Sequence, residues 1–141
     1  MVNEIIKGIS RTLYQNFQGS TIYVDNVPQG MKKPSFFIMN IEDVETPLLG
    51  NRAMREMAFV IHYFPKTEKN EELHEVASQL FGLLRRIKLI NGDYLNGLKL
   101  HREIEDSVLF FYVQFKPIVY YPNEEKVGMG AMDYSVGMKE V

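Results

Sequence analysis

The stretch Leu98 to Tyr121, LKLHREIEDSVLFFYVQFKPIVYY, constrains the fold more than any other, because it reads as two long strands joined by a tight polar turn. In the second strand Val108, Phe110 and Tyr112 fall on one side and Leu109, Phe111, Val113 and Phe115 on the other. Both sides are apolar, the pattern of a strand covered on both faces. In the first strand Leu98, Leu100, Arg102 and Ile104 alternate with Lys99, His101, Glu103 and Glu105, so one of its faces meets water. Glu105-Asp106-Ser107 supplies the turn. A hairpin of this kind is not stable alone and requires further strands and a covering layer.

The rest of the chain provides them. Ile5, Ile6, Ile9, Leu13, Tyr14 and Phe17 recur at three- and four-residue spacing with Asn3, Lys7, Arg11 and Gln15 opposite, which predicts an amphipathic helix over residues 2–17. Gln18-Gly19-Ser20 ends it, with Gly19 suited to the left-handed position after a helix. Two strands follow, TIYVDNV over residues 21–27 and SFFIMNI over residues 35–41, separated by a loop that carries Lys32 and Lys33. Those lysines lack the glycine-rich frame of a phosphate loop and read as solvated loop charges. Glu42 to Asn51, EDVETPLLGN, is long for a hairpin connection and is expected to project. The next strand spans Arg52 to Phe64 and places Ala53, Met57, Phe59, Ile61 and Tyr63 on one face with Arg55, and Arg52, Met54 and Glu56 on the other.

A second helix is expected from Glu71 to about Ile90, with Asn70 as its N-cap. Its acidic start, Glu71, Glu72 and Glu75, and basic end, Arg85, Arg86 and Lys88, suit the helix dipole. Leu73, Val76, Ala77, Leu80, Leu84 and Ile87 form its buried stripe, widened by Phe81 and Leu83. The order is helix, strand, strand, strand, helix, strand, strand: an α+β fold, a mostly antiparallel sheet with two helices packed on it. Residues 1–121 are read as one domain and residues 122–141, rich in glycine and methionine, as a C-terminal tail that is flexible or ordered on assembly.

Composition limits the chemistry. A chain of 141 residues with 45% hydrophobic residues can build one core without a staple. It has no cysteine, which excludes disulfides, thiolate metal sites and a cysteine nucleophile. Its formal charge of -2 gives no global attraction for nucleic acid or an anionic membrane, and no span of about 20 apolar residues is present. A soluble, cytoplasmic protein is expected, with no cofactor, no membrane and no sequence-specific nucleic acid as partner. His62, His74 and His101 sit on different elements without metal-ligand spacing and read as surface or edge residues. Glu103 and Glu105 share a strand face, with Asp106 in the turn beyond, and read as a solvated face ending at a solvated turn rather than as a cation site or an acid-base pair.

The segments EIIKGISRTLYQNF, IYVDNV and QGMKKPSFFI, followed by FVIHYFP, a charged loop and an amphipathic helix, resemble the phage tail terminator proteins of prophages and tail-like particles of Gram-positive bacteria. The likeness runs over residues 4–120. It implies a structural protein, not an enzyme, that caps the tail tube, stops its polymerisation and joins it to the head connector. It further implies a homo-oligomeric ring, commonly of six subunits. Such a protein assembles in the bacterial host cytoplasm and ends at the head-proximal end of a virion or phage-like particle. Its partners would be further copies of itself, the tail-tube protein and the connector.

On that reading the projecting region from Glu42 to Arg55 is the expected tube contact, with Asn51, Arg52 and Arg55 as polar anchors. Met129, Met132 and Tyr134 in the tail are the expected subunit-interface residues. The rivals are another head-to-tail joining protein and a small monomeric enzyme or ligand-binding domain built on His101, Glu103 and Glu105. A nucleic-acid module ranks third, for want of a basic aromatic platform.

Overall fold

The computed structural model describes residues 1–26 and 28–122. In chain order the elements are α1 (Val2–Asn16), β1 (Thr21–Val24), β2 (Ser35–Pro47), β3 (Arg52–Phe64), α2 (Asn70–Leu83), β4 (Arg86–Lys88), β5 (Tyr94–Asn96), β6 (Leu98–Glu105), β7 (Val108–Phe115) and β8 (Ile118–Tyr120). The main sheet runs β1-β2-β3-β7-β6, with β8 also paired to β3. Among the described residues only the β1–β2 pairing is parallel, so the fold is α+β with a mostly antiparallel sheet and two helices, as the sequence indicates.

Both helices lie on one face of the sheet. Ile5, Ile9 and Leu13 of α1 and Leu73, Ala77 and Leu80 of α2 join Phe36, Ile38, Phe59, Ile61, Leu109, Phe111, Val113 and Phe115 in one buried cluster. Its aromatic rings meet edge-on or tilted, Phe36 with Tyr63 at 4.7 Å and Phe59 with Phe115 at 6.0 Å, and Phe81, exposed on α2 where a buried position was expected, meets Phe111 edge-on at 4.9 Å from outside the cluster. The opposite face has no second layer among the described residues, contrary to the expectation from β7. Its apolar side chains shelter one another within the sheet. His62 lies edge-on to Phe110 at 4.6 Å and to Phe37 at 5.5 Å, and His101 stacks on Tyr112 at 4.6 Å. Phe37 and Val60 are thereby buried outside the main cluster. His62 is thus a half-buried residue of a central strand rather than a surface or edge residue, whereas His74 and His101 are exposed.

Four further expectations change. Tyr14, read into the stripe of α1, is 71% exposed, because Phe17 turns out of the helix and fills the place against Phe36. The second helix ends at Leu83, and Arg86 to Lys88 pair as a strand with Tyr94 to Asn96. Ile87 remains buried, now from a strand laid under α1, where Gly8 leaves room for the Lys88 carbonyl, and Leu89 just beyond that strand is buried as well. The basic residues therefore cap no helix. Arg86 holds its guanidinium 4.3 Å from the Tyr94 ring centroid. The N-cap of α2 is Lys69 rather than Asn70, without a side-chain capping hydrogen bond, and Glu72 in the first turn holds the preceding loop instead. Its carboxylate accepts from the Lys66 and Thr67 amides, the Thr67 hydroxyl and the Tyr63 hydroxyl.

Finally, the strand expected to run to Tyr121 breaks at Lys116-Pro117, where Pro117 has no amide to donate, and resumes as β8 along the same edge of β3.

Candidate functional site

The region expected as a projecting loop is mostly strand. β2 continues to Pro47 and β3 begins at Arg52, so Leu48 to Asn51 form the tip of a hairpin. Asn40 stitches a bulge in β2 by donating from its side-chain amide to the Glu42 and Ala58 carbonyls, both at 3.0 Å. Beyond the bulge every residue from Ile41 to Gly50 is exposed. The arm therefore leaves the helix-covered body. With β8 alongside it is three strands wide, β2-β3-β8.

The arm concentrates apolar exposure. Leu49 at its tip is 85% exposed and Tyr120 68%, and Ile41, Val44, Leu48 and Ile118 are exposed as well. An apolar group of this kind on a protruding element marks an interaction surface.

The three residues expected to anchor a tube contact come together on this arm, and each makes intrachain bonds there. Asn51 donates from its side chain to the Tyr121 carbonyl and accepts the Tyr121 amide at 2.7 Å on its own carbonyl. The Arg52 Nε donates to the Leu49 carbonyl at 3.3 Å, across the hairpin tip. Arg55 forms a two-pronged ion pair with Asp43, with Nε at 3.2 Å, and lies 3.8 Å from Glu45. The hydrogen bond to Asp43 raises the Arg55 pKa, so the guanidinium stays charged. The Tyr121 hydroxyl donates to Glu45 at 2.6 Å, which raises the phenol pKa. These contacts rivet the end of β8 to the arm. Sequence reading missed Asp43, Glu45 and Tyr121, because their partners are remote in the chain.

Met129, Met132 and Tyr134 lie outside the described residues. The chain reaches them from Pro122, next to the Tyr121–Asn51 contact at the arm tip.

Elsewhere, Glu103 and Glu105 stand on the edge strand β6, opposite Phe110 and Val108. They help to raise the Tyr112 pKa, though burial does more. His101 keeps its Nδ1 3.0 Å from the Lys99 carbonyl. No group of three or more metal-ligating side chains gathers among the described residues, and no described helix is long and apolar enough to cross a membrane.

The sheet carries both helices on a single face and is extended by an apolar strand arm. The chain belongs to the phage tail terminator family: the family model described as "Phage tail terminator protein" matches residues 4–127. No curated relative matches the sequence. The family is one of structural tail proteins, and membership associates this chain with the phage tail or virion.

Proposed function

We propose that this protein ends the tail tube: copies of it close into a ring, commonly of six, on the last tube ring and leave no surface on which another tube subunit can add. The opposite side of the ring receives the head connector. The protein assembles in the host cytoplasm and stays at the head-proximal end of the particle, working without a cofactor and by binding rather than catalysis. The observation that carries this reading, beside the family, is the arm, whose tip exposes Leu48, Leu49 and Tyr120 where a flat partner surface can be reached. Closure is a physical requirement, since a head-to-tail contact that does not close builds a filament instead.

The tip is the proposed tube contact, with Asn51, Arg52 and Arg55 holding it in shape. The single domain of residues 1–121 is proposed as the ring-forming body, and Met129, Met132 and Tyr134 as residues that clasp a neighbour. Electron microscopy of tail-tube protein polymerised with and without this protein tests the reading, alongside absolute mass by light scattering over a concentration series. Rings, or discrete caps with shortened tubes, are expected. Unchanged tube lengths and bare ends, with a monomer at every concentration, refute it. Arg52→Glu with Arg55→Glu should abolish capping while circular dichroism stays native, and removal of residues after Tyr121 should weaken oligomers.

A further inference from the structure

The side of the sheet away from the helices is apolar and lacks a covering layer among the described residues. Two cross-strand rows make its middle, Met39–Val60–Tyr112 and Phe37–His62–Phe110, and neither holds an acid, a lysine or an arginine. The rows shelter themselves only in part: Phe37 and Val60 are buried, whereas Met39, His62, Phe110 and Tyr112 are half-buried. Beside them on β7, directly paired with Ala58, stands Gln114, whose Oε1 is buried and accepts no hydrogen bond among the described residues. An uncharged sheet face with an unmet acceptor at its margin suits an apolar segment that brings peptide N–H groups with it.

The chain carries such a segment. Val127 to Met138, VGMGAMDYSVGM, has Asp133 as its single charged residue and Met129, Met132 and Met138 among its apolar side chains. The other charges of the tail bracket it, Glu124, Glu125 and Lys126 before and Lys139 and Glu140 after. Methionine packs favourably on aromatic rings, and this face is rich in them.

β8 sets where the segment goes. It pairs antiparallel to β3, with Ile118 opposite Met54 and Tyr120 opposite Arg52, so it runs toward the arm tip and delivers Pro122 heading away from the body. Val60 of the same chain lies back along β3 from Arg52, roughly 26 Å behind that exit. Residues 123–141 extend forward by as much as about 60 Å, far enough to cross the sheet of a neighbour.

We infer that residues 127–138 of one copy lie across the bare sheet face of the next copy, over Val60, His62, Phe110 and Tyr112, with a peptide N–H of the segment donating to Gln114 Oε1. This rests on the proposed ring and on the tail as the part that clasps a neighbour, and it names the surface that is clasped. Segment and face are unlike, so the contact is head-to-tail and repeats from copy to copy until the ring closes. It leaves the arm tip free for the tube.

The chain has no cysteine, so introduced thiols report the contact cleanly. Met132→Cys and Met39→Cys single variants are mixed in equal amounts at the concentration where wild type forms rings or caps tubes, and treated with a short bismaleimide beside the double variant. A dimer band from the mixture, absent from either single variant alone and absent when Tyr14→Cys on α1 replaces Met39→Cys, is expected, with a ladder of multimers from the double variant. No coupling while wild type caps tubes, coupling equally strong through Tyr14→Cys, or closure of the double variant only within its own chain overturns the inference and leaves the proposed function standing. Failure of wild type both to assemble and to cap overturns both. Met129→Asp with Met132→Asp should weaken association roughly tenfold or more, because each carboxylate would lose water against an apolar surface, and Met129→Leu with Met132→Leu should retain it. Association of the aspartate variant equal to that of wild type would refute the contact.

Discussion

The Tyr121 hydroxyl donates to the Glu45 carboxylate at 2.6 Å, joining residues 76 positions apart. β8 is three residues long and pairs with β3 only through Arg52, Ala53 and Met54, too short a ladder to hold by its backbone bonds alone. The Tyr121–Glu45 and Asn51–Tyr121 contacts fix its far end, so the width of the arm depends on side chains.

Removing those contacts should loosen the arm and leave the body intact. Tyr121→Phe or Asn51→Ala is expected to cost about 1 kcal/mol, the usual net worth of such a hydrogen bond. Hydrogen exchange would show faster amides in Arg52 to Met54 and Ile118 to Tyr120, with Phe59 to Ile61 unchanged.

Glu72 is the clearest acid-sensitive group. Burial alone would raise its pKa, but the bonds from Tyr63, Thr67 and Lys66 outweigh burial and bring it down to about 2. A carboxylate depressed in the folded state stabilises fully above its unfolded pKa of about 4.3 and loses that contribution as pH falls toward 2. Glu72→Gln should cost about 2 kcal/mol at pH 7, and the gap from wild type should close between pH 4.5 and pH 2 in denaturant melts.

His62 titrates with the opposite charge. Burial among Phe37, Phe64 and Phe110 pushes its pKa below the ordinary value, so the folded protein disfavours the imidazolium. Stability is complete above the unfolded pKa of about 6.5 and declines as pH drops from there toward the lower folded value. An NMR titration should give His62 a midpoint below that of free histidine, and His62→Phe should remove this part of the acid dependence.

Gly97 admits no side chain. A Cβ there would lie 2.1 Å from the Leu84 carbonyl oxygen and 3.0 Å from Val113 Cγ2, while its amide donates to the Arg85 carbonyl at 2.7 Å. Gly97→Ala is expected to cost on the order of 2 kcal/mol or more, by forcing the chain after β5 away from the Leu84 carbonyl and Val113. A lowered melting temperature with faster exchange in β4 and β5 would show it, and an unchanged melt would contradict the close approach.

Local pattern made much of this protein legible in the sequence. The helix at the start, the strands around Phe36, Phe59 and Phe111, the left-handed Gly19 and the turn at Asp106-Ser107 follow from periodicity and turn chemistry, which need only neighbouring residues. Pattern also gathered Asn51, Arg52 and Arg55, adjacent as they are in the chain. It erred where remote partners decide. Arg86 to Lys88 has the composition of a helix end and becomes a strand because Tyr94 to Asn96 pairs with it and α1 covers Ile87. The apolar outer side of β7 predicts a second covering layer, yet His62 and His101 close over it from adjacent strands.

The sequence alone determined the fold class, because hydrophobic order along the chain sets which elements form and on which face they pack, and the family through the resemblance of its segments, which the match over residues 4–127 bears out. Only the tertiary structure decided the arm: that Glu42 to Pro47 is strand rather than loop, that β8 returns to lie beside it, and that Asp43, Glu45, Arg55 and Tyr121 meet on it. The physical reason is that strand pairing and ion pairs are contacts between remote residues, and neither local propensity nor periodicity carries their register.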